Sequence, residues 1–302
     1  MRLLILGASG FLGRHVWRQA AAAGAEVVTA GRAGPPAGSP AHRQVDLAAD
    51  GPDLIAEMIA SVAPDVVANC AGATTGGPDL LAAANVTGTY ALVRAMLEAG
   101  NPARLVHLGS AAEYGRVEPG LASSESSPCR PVAAYGATKL AGTRLVELAR
   151  AAGGLDAVVL RVFNPVGAGA PENSLPGRVA AALRQALASG ADVRLGSLDA
   201  ARDFVDARDI AAAVLAAAAA PELPHAVLNV GSGTGVPARM LVKELVAISG
   251  YAGLVHEDSP GPARSGDVPW SQADITLARQ DLDWRPRHDL AASVADLWEG
   301  GP

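Results

Sequence analysis

Short, uninterrupted apolar runs alternate with longer stretches of helical period over the first half of the chain. The runs at 3–6, 26–30, 65–69, 104–108 and 157–162 read as strands, and 12–23, 55–62, 80–99 and 134–152 read as helices. Strands without polar alternation are buried on both faces. That predicts a parallel sheet covered by helices on both sides, a doubly wound α/β fold. After residue 162 the pattern changes, with proline and glycine crowding 165–177 and shorter elements following. We expect a first domain over 1–165, to which 202–230 returns as a strand–helix pair, and a smaller C-terminal α/β region built from 166–201 and 231–302.

Composition narrows the partners. Half of the 302 residues are hydrophobic and 18% are charged, which predicts a large core. Alanine supplies much of the apolar share and predicts closely approaching helices. A net charge of −6 and 4% aromatics disfavour a nucleic-acid partner. Cys70 and Cys129 stand alone and read as reduced thiols. The six histidines lack ligand spacing, so no metal is expected. No run reads as a membrane span, the best candidate at 210–220 having about half the ~20 residues required. The N-terminal apolar run is too short for a signal peptide, so the expected home is the cytoplasm.

The first strand runs into Gly7-Ala-Ser-Gly10-Phe-Leu-Gly13 and then a helix. Glycines at that junction let a backbone approach a diphosphate, which sits on the free N–H groups of the helix start. A tight strand–helix turn would also use them, but the placement after strand one favours a Rossmann-type dinucleotide site. The second strand ends Val27-Val-Thr-Ala-Gly31-Arg32, with no acid for a ribose 2′-hydroxyl. An arginine there suits a 2′-phosphate, so NADP(H) is preferred and NAD(H) possible. Asp46 and Leu47 are candidates for the adenine edge, although an aspartate there also suits a helix start.

Tyr135-Gly-Ala-Thr-Lys139 places a phenol and an ammonium on one helix face. The cation favours the phenolate and brings the tyrosine nearer working pH, as a carbonyl–alcohol interconversion needs. Ser110 follows an apolar strand and so sits at its carboxyl end, where ligands bind in open α/β sheets.

These residues, with Asn85-Val-Thr-Gly-Thr89, Arg161-Val-Phe-Asn164-Pro, Arg202-Asp-Phe-Val-Asp206 and Asn229-Val-Gly-Ser-Gly233, resemble the extended short-chain dehydrogenases/reductases nearly end to end. The resemblance implies Ser110, Tyr135 and Lys139 as catalytic residues. It implies Gly7, Ser9, Gly10, Phe11, Leu12, Gly13, Ala71, Asn85 and Phe163 on the cofactor, beside Arg32, Asp46, Leu47, Tyr135 and Lys139. Gly109-Ser-Ala-Ala-Glu-Tyr-Gly115, 195–204 and 264–269 are most similar to the GDP-4-keto-6-deoxy-D-mannose reductases. That likeness implies a nucleotide-sugar substrate held by Ser110, Ala111, Glu113, Tyr135, Asn164, Arg178, Arg202 and Arg264, and a homodimer through the helices at 80–99 and 134–152.

Three activities share such a scaffold. A dehydratase resembling the 4,6-dehydratases places a glutamate at the position of Ala112; here Glu113 is displaced by one, which in an extended segment turns it to the opposite face. A 4-epimerase that holds NAD tightly uses the acid missing after strand two. The expectation is therefore an NADPH-dependent 4-ketoreductase of a GDP- or dTDP-linked 4-keto-6-deoxyhexose. An NAD-dependent epimerase and a redox-silent NADP-binding sensor are the alternatives.

Overall fold

The computed structural model describes residues 1–35, 38–39, 41–99, 102–259 and 268–300. Through the first half the chain forms β1 (Arg2–Leu6), α1 (Phe11–Ala22), β2 (Glu26–Gly31), β3 (His42–Gln44), α2 (Gly51–Val62), β4 (Val66–Asn69), α3 (Pro78–Ala82), α4 (Gly88–Glu98), β5 (Arg104–Ser110), α5 (Ala134–Ala151) and β6 (Ala157–Val162). The second half adds β7 (Asn164–Val166), α6 (Leu175–Ser189), β8 (Val193–Arg194), β9 (Ala201–Asp206), α7 (Ala207–Ala219), β10 (Val227–Val230), β11 (Gly235–Pro237), α8 (Ala238–Ser249), β12 (Val255–His256), α9 (Thr276–Leu282) and α10 (Leu290–Glu299).

Seven strands make one parallel sheet in the order β3-β2-β1-β4-β5-β6-β10, a Rossmann-type α/β fold. The apolar run of β1 serves both faces. Leu3 and Ile5 join a core with Val16 and Trp17 of α1 and Ile210 and Val214 of α7, whereas Leu4 and Leu6 join one with Ile55 and Ile59 of α2 and Leu92 and Met96 of α4. On α7 the buried positions include Ala207, Ala211, Ala213 and Ala217, and these small side chains let the helix lie close on α1. The chain order reverses between β1 and β4, which opens a crevice at their carboxyl ends.

Several expectations need correction. β3 is polar and carries no strand signal; it pairs with β2 through a parallel backbone ladder, including Thr29 N to Ala41 O at 3.0 Å and Val45 N to Gly31 O at 3.1 Å, and Thr29 Oγ1 adds a bond to Ala41 O at 2.9 Å. The helix expected over 80–99 is interrupted by a π-helical turn, Ala83–Thr87. The run Pro78–Glu98 is long and apolar enough to cross a membrane, unlike the shorter 210–220, but half of it is buried inside the fold, where α4 packs on α2 and α5.

The returning segment is split. α7 and β10 rejoin the main sheet, but β9 pairs with β7 and β11 in a separate three-stranded sheet. Asp203 of β9 ties the two parts together. Its buried carboxylate accepts from Ser232 N (2.6 Å), Ser232 Oγ (2.7 Å), Gly233 N (3.0 Å) and Ala273 N (3.0 Å). Burial raises its pKa, with these hydrogen bonds pulling the other way. A third core, containing Val179, Leu183, Phe204, Leu241, Leu245 and Leu297, supports this region through α6, α8 and α10.

Candidate active site

The crevice begins at the glycine turn after β1. Gly7 has φ +74°, and a Cβ on it would stand 2.7 Å from Ala71 N; one on Gly13 would stand 2.2 Å from Gly7 O. Larger residues would separate α1 from the turn and the turn from the end of β4. Gly10, the residue capping α1, supplies no side-chain partner, which leaves the first-turn N–H groups of Phe11, Leu12 and Gly13 for a ligand. Ser9 and Gly10 are exposed and Phe11 and Leu12 half-buried. This narrow cradle at a helix N-terminus fits a dinucleotide diphosphate.

Arg32 is exposed immediately beyond β2, and among the described residues that follow the strand in sequence, up to His42, none is acidic. Asp46 Oδ1 accepts from Ala48 N at 3.0 Å, so one oxygen caps its own turn, while Leu47 leans on the core. Ala71 N donates to Asn69 Oδ1 at 3.0 Å.

Ser110 ends β5, and α5 begins at Ala134, so Tyr135 lies in its first turn and Lys139 one turn later. Gly136 brings these two segments together, since a Cβ there would stand 2.4 Å from Ala112 O. Lys139 is buried and Nζ donates to Leu108 O at 2.6 Å. Burial lowers its pKa, and the Glu113 carboxylate opposes that effect. Asn85 sits in the π-helical turn, accepting from Ala73 N (2.9 Å) and donating to Ala73 O (2.9 Å) and Thr138 Oγ1 (3.0 Å). Thr138 Oγ1 in turn donates to Tyr135 O at 2.9 Å. Asn85 thus links α5 to the loop after β4, with its amide engaged at both ends.

Glu113 does not face a substrate. It is completely buried in a 3₁₀ turn, not an extended segment, so strand alternation does not decide where it points. Oε1 accepts from Ser110 N (2.8 Å) and Thr143 Oγ1 (2.9 Å), and Oε2 pairs with Arg161 Nε at 2.7 Å. The pattern Ser110-x-x-Glu113 is a capping box, and that signal places the carboxylate correctly from sequence. Phe163 is also corrected: its ring is buried in the core against Tyr114, the centroids 6.2 Å apart.

Of the remaining expected substrate residues, Ala111 is half-buried in the turn after Ser110. Asn164 Nδ2 donates to Asp203 O at 3.0 Å, joining β7 to β9. Arg202 lies on β9, Nη1 donating to Ala201 O at 2.8 Å, and burial lowers its pKa. Arg178 is half-buried in the first turn of α6. Arg264 lies outside the described residues. Sequence reasoning gave Arg161, Thr138 and Thr143 no role of their own; each meets a partner distant in sequence, Glu113, Asn85 and Glu113 respectively.

A profile of the NAD dependent epimerase/dehydratase family matches residues 3–231. The chain is 41% identical over 302 aligned residues to dTDP-6-deoxy-L-talose 4-dehydrogenase (NAD(P)(+)) of Kitasatospora kifunensis, covering 98% of this chain and 94% of that enzyme. It is 32% identical to a UDP-glucose 4-epimerase of Streptomyces lividans, covering 99% and 95%. Among solved structures, MoeE5 in complex with UDP-glucose and NAD superposes with a TM-score of 0.85 at 28% identity, over 99% of this chain and 98% of that one. The glycine cradle, the Ser110–Tyr135–Lys139 arrangement and these likenesses agree: the chain belongs to the NAD-dependent epimerase/dehydratase family.

Proposed function

We propose that this protein interconverts the 4-keto and 4-hydroxyl groups of a dTDP-linked 6-deoxyhexose with a nicotinamide cofactor. The observation carrying this reading is the convergence of Ser110, at the end of β5, with the start of α5 that bears Tyr135 and Lys139, beside a dinucleotide cradle. The likeness to a dTDP-sugar 4-dehydrogenase over 98% of the chain favours dTDP over the GDP expected from shorter stretches.

Hydride chemistry at C4 is what a bound nicotinamide supplies. The first-turn N–H groups of α1 hold the diphosphate, and Arg32 meets the adenosine ribose, favouring a 2′-phosphate. Ser110 donates a hydrogen bond to the C4 oxygen and polarises the ketone. Tyr135 gives its phenolic proton to that oxygen during reduction and takes it back during oxidation. Lys139 favours the phenolate by its charge.

The test is absorbance at the nicotinamide band with dTDP-6-deoxy-L-talose and NAD⁺ or NADP⁺, run beside NADPH with GDP-4-keto-6-deoxymannose. Oxidation of the dTDP sugar supports the reading, and turnover of the GDP sugar alone overturns it. A second reading, 4-epimerisation, draws on the Streptomyces lividans relative. The exposed Arg32 at the end of β2 disfavours it, and conversion of UDP-glucose to UDP-galactose without net cofactor change would establish it.

A further inference from the structure

We propose that Glu113 and Arg161 are positioning residues. Their buried ion pair holds the Ser110 backbone and sets the charge around Tyr135 and Lys139. The role assigned to Ser110, Tyr135 and Lys139 rests on the proposed function above; the pair itself is a feature of the fold.

Three elements meet on one carboxylate. Glu113 receives the Ser110 N–H at the end of β5, the Thr143 hydroxyl of α5 and the Arg161 guanidinium of β6. Thr143 lies one turn beyond Lys139, so the carboxylate fastens the catalytic helix to the strand end that carries Ser110. The backbone makes room for it: a Cβ on Gly109 would stand 2.8 Å from Glu113 Oε1 and 3.3 Å from Arg161 Cγ. Both side chains are almost wholly inaccessible, 0% for Glu113 and 2% for Arg161. A buried ion pair is seldom a source of net stability, because desolvation offsets the attraction, so its presence beside an active site calls for another role.

The surrounding charges support that role. Arg161 also stacks over the Tyr114 ring at 4.9 Å and donates to Tyr114 Oη at 3.2 Å, and Tyr114 donates to Asn229 Oδ1 of β10 at 2.7 Å. Burial raises the Tyr114 pKa to about 12, so that phenol stays neutral. Burial raises Cys70, after β4, to about 12, and holds His107 of β5 well below its ordinary value; both are uncharged near neutral pH. Glu125 and Cys129, from the loop before α5, are raised chiefly by burial. Burial works against the Arg161 charge, but Glu113 and Tyr114 outweigh it and keep the guanidinium protonated. The Glu113 carboxylate therefore pairs with the Arg161 guanidinium and also acts on the Lys139 ammonium.

Replacing Glu113 with glutamine keeps an acceptor for Ser110 N–H but leaves Arg161 uncompensated. The added positive charge should move the first ionisation of the Tyr135–Lys139 couple down by about 0.5–1 pH unit. We would follow this by ultraviolet titration of tyrosinate, taking the difference between each protein and its Tyr135→Phe counterpart, a readout that needs no substrate. The double variant Glu113→Gln/Arg161→Met, which removes both charges, should return the midpoint to the wild-type value. A midpoint unmoved in Glu113→Gln would overturn the electrostatic role.

Should Glu113→Gln fail to fold, Glu113→Asp keeps the charge but is one methylene too short to reach all three partners. Its turnover should fall about tenfold with KM within twofold; unchanged turnover would overturn the positioning role. If no nucleotide sugar is turned over by the wild type, the proposed function fails while the titration still decides this inference.

Discussion

Lys139 Nζ donates to the Leu108 carbonyl at 2.6 Å, fastening α5 to β5 two residues before Ser110. The ammonium is buried, and burial lowers its pKa. Lys139→Met should lose the charge that favours a Tyr135 phenolate, and Tyr135→Phe should lose the proton itself. Each is expected to reduce turnover about 10²–10⁴-fold. Steady-state rates with cofactor fluorescence titration check this: Tyr135→Phe should bind cofactor nearly as wild type does while turning over poorly.

Cofactor preference is expected to follow Arg32. The side chain is exposed just past β2, where no acid replaces it. Arg32→Ala should weaken NADPH relative to NADH about tenfold or more, the scale of one charge-assisted hydrogen bond. The ratio of kcat/KM for the two cofactors measures it, and an unchanged ratio would remove Arg32 from the site.

Gly136 sits where α5 meets the turn after Ser110. A Cβ there would fall 2.4 Å from Ala112 O, a backbone atom that cannot rotate away. Gly136→Ala should cost about 1–3 kcal/mol through overpacking, lowering Tm by roughly 2–4 °C per kcal/mol. It should also slow turnover, since the start of the helix carries Tyr135. Calorimetry and steady-state rates on the same sample separate the two effects.

His107 predicts a pH dependence of stability. Burial, with Lys139 assisting, holds its pKa well below the ordinary 6.5. Asn69 Oδ1 accepts from Ala71 N, so Asn69 Nδ2 is the group facing His107 Nδ1 at 3.0 Å, and a proton on that nitrogen would meet a donor. The folded state keeps the imidazole neutral while the unfolded chain protonates it. Its contribution is full above about pH 6.5 and declines as pH falls below that value. Urea unfolding between pH 7.5 and 5 should show this decline, and His107→Asn should show a shallower one.

Much of the fold was legible because its signals are local. The apolar runs at 3–6 and 157–162 have no polar face, so only a doubly covered parallel sheet accommodates them. The glycines at 7, 10 and 13 mark a close backbone approach, and Tyr135 and Lys139 share a helix face by spacing alone. Even Glu113 had a local signature in Ser110-x-x-Glu113, although alternation along an extended segment was the wrong rule for a 3₁₀ turn.

The sequence by itself therefore determined the α/β alternation, the cradle after β1 and the candidate catalytic positions, because each depends on residues within a turn or two of one another. Tertiary structure decided which sheet β9 joins, since a strand's partners come from distant segments: Asp203 binds backbone N–H groups near 232 and 273. It also decided that Glu113 meets Arg161 and not a ligand, a pairing 48 residues apart. Periodicity carries no information across such distances; burial and pairing in the folded chain do.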